Sequence, residues 1–316
     1  MKNQFLILFF LIFINSAFSQ NESIKSLVDN TKDLNLDMWE LVDYAKNHLE
    51  KNIEFARFFY YWIGSNIKYD NEIFQKLEKG KLTNKEYFDT QDYYRVYENR
   101  KGICAGYANL FQWFMDEIDI EVVIISGHIR DERNHYVELE SDDNYRHAWN
   151  AIKINEKWLL VDTTWGTSLE PTISDFYFNM EPARAIITHY PEESKWQLLK
   201  KTLSLNEFNK SKFIDPIWFM VGYSDNPKLK QDSKYYYFVY RSNPNMNWIV
   251  NLLYSGDNLN FHSIKGLKKI VQGEYTYLRF NKSVIPEKAY FKVNLYNSYD
   301  GLNYNLTYKD VINFKI

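Results

Sequence analysis

One cysteine limits the thiol chemistry open to this chain, and its neighbours single it out. Cys104 stands in Gly102-Ile103-Cys104-Ala105-Gly106, ahead of Ala108, Phe111, Phe114, Met115 and Ile118 at helical spacing. The thiol is therefore expected at or just before the first turn of a helix. A helix start favours negative charge, because its first N–H groups lack intrahelical partners and the dipole is positive there. This helps form the thiolate, the nucleophilic state. The flanking glycines allow a tight turn and close approach of a substrate backbone. The Cys104 N–H is then placed to donate to an oxyanion. A lone cysteine excludes an intramolecular disulfide and a metal site of several cysteines. Taken alone, a buried and inert thiol is the commoner case, so the neighbours must decide.

A thiolate nucleophile needs a base, and a hairpin supplies one. Arg146–Ile154 and Lys157–Trp165 read as two strands turning at Asn155-Glu156. With a two-residue turn, residue 154 faces 157, so His147 faces Thr164 and Trp149 faces Asp162. His147 and Asp162 are then diagonal neighbours on one face, roughly 7–8 Å apart between backbones. A carboxylate there can reach an imidazole nitrogen and fix its tautomer. A one-residue change of turn would flip the face and break the pairing. The expected site is a Cys-His-Asp triad with Cys104 as nucleophile, His147 as general base and acid, and Asp162 as orienter. Each residue alone has a more common structural role. Their convergence on one helix start and one hairpin face is the specific signal.

The surrounding elements must position these three side chains. Residues 22–50 read as two helices split around Asn35–Asp37. Asn52–Asn66 is an amphipathic helix through Ile53, Ala56, Phe59, Tyr60 and Ile63. Residues 70–100 are polar and Tyr-rich, with short helices. Glu121–Gly127 is a β-branched strand, and the chain past Gly166 is loop and short helix to about Leu205. From about Lys234, aromatic and β-branched runs (KYYYFVY, NWIVNLLY, TYLRF, AYFKVNLY, VINFKI) alternate with turn residues, as in a β-sandwich. The expected domains are a signal peptide over 1–19, a catalytic domain over 20–204 and a β-rich domain over 205–316.

The signal peptide is read from Lys2, the apolar run Phe5–Ile14 and the small residues of Ala17-Phe18-Ser19. The run is too short for a membrane span. Cleavage after Ser19 is expected, giving a secreted or periplasmic protein with no integral membrane segment. In an oxidising compartment an unpaired cysteine points to a reactive thiol.

Composition narrows the remaining classes. The 316 residues are 45% hydrophobic and 25% charged, as in a folded globular protein. The aromatic share of 18%, with 26 Tyr and 22 Phe, leans toward β-structure. A net charge of -3 and the lack of a dense basic cluster argue against nucleic acid as a partner. A mean hydropathy of -0.50 argues against a multi-span membrane protein. No phosphate loop, dinucleotide fingerprint or metal-ligand spacing stands out among the other histidines (His48, His128, His135, His189, His262), so no cofactor or metal is expected. Asp142-Asp143 reads as a solvated loop.

Three segments resemble a known family. GICAGYANLF, RHAWNAI and WLLVDTTWG are similar in order, spacing and flanking residues to the three motifs of the transglutaminase-like cysteine-enzyme superfamily. ARFFYYWIGSNIKYD resembles the helix that often precedes that core, and THYPEESKWQLL resembles the kyphoscoliosis-peptidase branch. The resemblance covers about residues 50–200. It implies an α+β fold: a papain-like core with the nucleophile helix packed on an antiparallel sheet, then a β-rich domain. It also implies that Cys104, His147 and Asp162 fill the triad. A Gln six residues before the cysteine, the second oxyanion donor of papain-type enzymes, is absent, since Glu98 stands there. Gln91 and Tyr69 are candidates for that role, and Trp149 and Trp165 are candidates to wall the site.

These readings converge on a secreted thiol acyl-transfer enzyme acting on amide bonds of proteins or peptides, with hydrolysis favoured. The alternatives are a binding or adhesion module that keeps the triad as a relic, and a protein cross-linking transglutaminase.

Overall fold

The computed structural model describes residues 21–131, 138–140, 146–167, 173–242, 248–298 and 304–316. The expected signal peptide and the Asp142-Asp143 loop lie outside the described residues. Among the described residues, no helix is long and apolar enough to cross a membrane. The chain divides into two compact units, one of residues 1–127 and 146–181, the other of residues 128–145 and 182–316.

In the first unit, residues 21–29 are helical and α1 follows over Met38–His48. Asp37 starts α1 with a capping box: its carboxylate accepts the Glu40 N–H at 2.8 Å, and Glu40 accepts the Asp37 N–H at 2.9 Å. The helix α2 spans Asn52–Asn66 and buries Ala56, Phe58, Phe59, Tyr60, Tyr61, Trp62 and Ile63. Three short helices follow, Asn71–Glu78, α3 (Asn84–Gln91) and α4 (Tyr93–Asn99), and then α5 (Cys104–Glu117). Phe59 of α2 stacks on Phe114 of α5 with ring centroids 4.2 Å apart, and Trp62 meets Phe114 edge-on at 5.9 Å. Aromatic rings that bury large areas thus fix α5 against α2.

Four strands of the five-stranded sheet beside α5 are β1 (Val122–Ile129), β2 (Arg146–Ile154), β3 (Lys157–Val161) and β4 (Phe178–Met180), lying in the order β4-β3-β2-β1. The β2–β3 hairpin is antiparallel and pairs Ile154 with Lys157 and Asn150 with Val161. Asn155 and Glu156 both have positive φ, 48° and 62°. Two left-handed central residues make the type I′ turn that suits a two-residue hairpin.

One expectation is corrected here. The second strand stops at Val161 rather than running to Trp165, because Asp162 N-caps the short helix α6 (Thr163–Gly166). Aspartate at an N-cap is among the strongest helix-start signals, and here it overrides the β-branched pattern of Thr163-Thr164.

Among the described residues, nine strands of the second unit form two sheets. They are β5 (Phe213–Ile214), β6 (Lys228–Gln231), β7 (Tyr235–Arg241), β8 (Trp248–Ser255), β9 (His262–Ser263), β10 (Lys268–Gln272), β11 (Tyr275–Asn281), β12 (Tyr290–Ser298) and β13 (Tyr304–Lys315). The orders are β10-β11-β7-β6 and β9-β8-β12-β13-β5. Phe238 from the first sheet stacks on Phe314 from the second at 5.8 Å, and Phe291 stacks on Phe314 at 4.8 Å. Two sheets facing each other across buried rings form a β-sandwich.

The second unit takes residues 182–204 together with the β-rich residues that follow. The reason is local packing. Ile186, Leu139 and Phe208 form one buried cluster, joined by Tyr190, Leu199, Leu203 and Leu205. Arg130 is buried beneath it and donates to the carbonyls of Ile187, Phe208 and Lys212.

Candidate active site

Cys104 is the first residue of α5 and is half-buried. His147 lies on β2, and Asp162 follows the last residue of β3. The hairpin register that pairs Asn150 with Val161 brings His147 and Asp162 onto one face. His147 Nε2 lies 2.8 Å from Asp162 Oδ2. Asp162 is fully buried and its Oδ1 also accepts the N–H groups of Thr164 and Trp165, each at 2.9 Å. A carboxylate that only accepts fixes the proton of His147 on Nε2. The other ring nitrogen is left for the thiol, and His147 and Cys104 are hydrogen-bonded.

The electrostatics of the pair run in one direction. Burial is the largest influence on the Cys104 thiol and pushes it up. The hydrogen bond and charge of His147, with a backbone hydrogen bond at Ala148, outweigh it and bring the thiol below its ordinary 9.0. Burial alone pushes His147 down. The charge of Asp162, the hydrogen bond to it and the thiol outweigh that and raise the imidazole from 6.5 to about 10. Both shifts favour thiolate and imidazolium over the neutral pair.

Two tryptophans flank the imidazole. Trp149 stacks near His147 with centroids 6.0 Å apart, and Trp165 lies at 5.7 Å and is tilted by 44°. Trp149 is buried, whereas Trp165 keeps partial exposure. They limit the rotation of the ring and hold it in an apolar slot.

Gln91 has a different place from the one considered in the sequence. Its Oε1 accepts the N–H groups of Ile103 and Gly106, at 3.0 and 3.1 Å. Its Nε2 points to Thr90 Oγ1 at 3.0 Å. The group facing the cysteine turn is thus an acceptor, so Gln91 as placed is no oxyanion donor. The sequence signal for this contact is the combination of an apolar N-cap, Ile103, with a glycine three residues on. Tyr60 was read only as a core residue of its helix, yet its phenol lies against Gly166 and donates to the Ser174 carbonyl at 2.5 Å. Nothing in the local pattern signals that contact. His48 is exposed, and His128 and His189 are buried.

Residues 40–163 match the model of the family described as the transglutaminase-like superfamily, so the chain carries a transglutaminase-like domain. It is similar to kyphoscoliosis peptidase of Mus musculus, at 30% identity over 182 residues, which is 55% of this chain and 26% of that protein. It is also similar to hillarin of Drosophila melanogaster, at 25% identity over 205 residues, 58% of this chain and 23% of that protein. The matched part thus spans about a quarter of the length of these relatives. A solved structure described as the crystal structure of a TGase covers 52% of this chain and 38% of its own, at 14% identity and a TM-score of 0.33.

Proposed function

We propose that this chain is a thiol acyl-transfer enzyme that cleaves amide bonds of proteins or peptides, with Cys104, His147 and Asp162 as its catalytic residues. The observation that carries this reading is the chain of contacts from Asp162 through His147 to a thiol at a helix start. In the reaction, the Cys104 sulfur attacks the amide carbonyl carbon and the C–N bond breaks. The leaving amine takes the proton held by His147. His147 then takes a proton from water, and the resulting hydroxide cleaves the thioester to release the acid and return the Cys104 thiolate beside protonated His147. An acceptor amine in place of water would make the product a new amide. Hydrolysis is favoured by the name of the mouse relative, a peptidase. A secreted or periplasmic setting is part of the reading, supported by the Lys2, Phe5–Ile14 and Ala17-Phe18-Ser19 pattern.

The test is the pH dependence of Cys104 alkylation by iodoacetamide in the wild type and in His147→Ala. The wild-type thiol is expected to react with an apparent pKa well below the free value of about 8.5, and the variant to lose that shift. Reaction of both only near the free value would overturn the reading and favour a non-catalytic binding module.

A further inference from the structure

The helix that carries Cys104 begins on Ile103, whose side chain makes no cap. A helix start leaves several N–H groups without acceptors, and the N-cap side chain normally supplies an oxygen to the second or third of them. Here that oxygen comes from another helix. Gln91, the last residue of α3, accepts both the Ile103 N–H and the Gly106 N–H on its Oε1. One atom thereby takes both roles of a capping box. The orientation of the amide is fixed, because both neighbours of Oε1 are donors. Gln91 is only 2% exposed, and Asn109 Nδ2 grips its backbone carbonyl at 2.7 Å. Gly106 makes the approach possible, since a Cβ there would stand 2.7 Å from Oε1.

The consequence is selective. The N–H groups of Ile103 and Gly106 are taken by Gln91, and that of Tyr107 by the Ile103 carbonyl at 3.1 Å. Those of Cys104 and Ala105 have no hydrogen-bond acceptor among the described residues. We propose that Gln91 is a positioning residue for acyl transfer: it caps the nucleophile helix from outside and so leaves the Cys104 and Ala105 N–H groups to hold the oxyanion. The proposal rests on the acyl-transfer reading above. When the sulfur bonds to the carbonyl carbon, the C=O π pair moves onto oxygen. That charge is held until it collapses back and expels the leaving group.

Two reactions at the same thiol separate this role from a general structural one. Iodoacetamide alkylation displaces iodide and forms no oxyanion. Acylation by p-nitrophenyl acetate passes through an oxyanion before p-nitrophenolate leaves. In the full chain, Gln91→Met is expected to lower the ratio of acylation to alkylation rate by about tenfold or more, since losing one oxyanion donor outright costs about 10²–10³. Gln91→Glu returns an acceptor oxygen and is expected to restore the ratio to within a few-fold. Gly106→Ala pushes Oε1 away from the other side and is expected to lower the ratio as well, which keeps the test open if Gln91→Met unfolds. An unchanged ratio in variants that melt like wild type, or a parallel fall in both rates, would overturn the role of Gln91. A wild-type thiol acylated no faster than free cysteine would overturn the acyl-transfer reading itself, and this inference with it.

Discussion

Asp162 meets His147 through one carboxylate oxygen and its own backbone through the other. Oδ2 lies 2.8 Å from His147 Nε2, and Oδ1 accepts the Thr164 and Trp165 N–H groups at 2.9 Å. Both sides of this carboxylate require an acceptor, and an asparagine offers only one. In Asp162→Asn either the backbone N–H pair or the imidazole N–H faces an NH₂ group. If the imidazole yields, its proton moves to the nitrogen facing the thiol, where it can no longer accept the thiol proton. The variant is expected to lose roughly 10²–10⁴ in acylation rate. Its alkylation profile should shift to higher pH, because the charge that raises His147 is gone. An unchanged profile would mean that Asp162 only caps α6.

The shift at His147 makes a signed prediction about stability and pH. The ordinary imidazole value is 6.5 and the folded value about 10. A group raised on folding contributes stability that is fully present below 6.5 and is lost as pH rises through about 10. Cys104 has the opposite sign. Its lowered thiol contributes stability above its ordinary 9.0 and loses it as pH falls through the folded value. Thermal unfolding of wild type and His147→Gln between pH 6 and 10 reads the first effect. The gap in Tm is expected to narrow as pH rises over this range. A constant gap would show that His147 does not hold its proton in the folded chain.

The meeting of His147 with Asp162 was legible because its geometry follows from short-range rules. A glycine-flanked cysteine before an apolar 3.6-residue pattern locates the helix start, and a two-residue turn fixes which strand residues share a face. Asn155-Glu156 met that turn with both residues at positive φ, so the pairing held. The end of the second strand was misread because Thr163 and Thr164 favour strands, while the stronger local signal was Asp162 as an N-cap. Gln91 was visible as a residue near the site, but its role was not. That role depends on two donors brought together by the packing of α3 against α5, and on a polar partner that Ile103 lacks. The grouping of residues 182–204 with the β-rich unit was hidden for a similar reason. It rests on Arg130 and Phe208, which lie 78 residues apart in sequence.

Arg130 is a buried and heavily hydrogen-bonded polar group of the second unit. It is 1% exposed, and its Nη1 and Nη2 donate to the carbonyls of Phe208, Ser211, Ile187 and Lys212 and to Ser211 Oγ. Its guanidinium also lies over the Phe208 ring at 4.5 Å. Arg130→Met leaves these acceptors buried without donors, and a buried unpaired acceptor costs about 1–3 kcal/mol. Lysine keeps the charge but not the planar fork. Both variants are expected to destabilise the chain by several-fold the cost of a surface change, about 2–5 kcal/mol in denaturant unfolding. Arg130→Lys should recover little of it. A near-neutral Arg130→Lys would show that the fork geometry is not what holds residues 182–212 together.

Tyr60 and Gly166 set the position of the turn that holds Asp162. A Cβ on Gly166 would stand 2.1 Å from the Tyr60 oxygen and 2.7 Å from its Cζ. Tyr60 is buried and its hydroxyl is spent on the Ser174 carbonyl, so the ring cannot swing away without losing that bond. Gly166→Ala is therefore expected to cost roughly 1–3 kcal/mol or more, the range for overpacking a filled core. Tyr60→Phe alone removes the hydrogen bond to the Ser174 carbonyl and costs about 0.5–1.5 kcal/mol. In the double variant the missing hydroxyl removes the closest clash, so the combined loss should fall short of the sum by about 0.5 kcal/mol or more. The effect should also reach the site. Gly166 donates its N–H to the Asp162 carbonyl at 3.1 Å, closing the turn whose Thr164 and Trp165 N–H groups hold the carboxylate. Gly166→Ala should therefore move Cys104 alkylation to higher pH, and Tyr60→Phe should partly return it. If stability falls while the alkylation profile stays at the wild-type value, the turn tolerates the clash without moving Asp162.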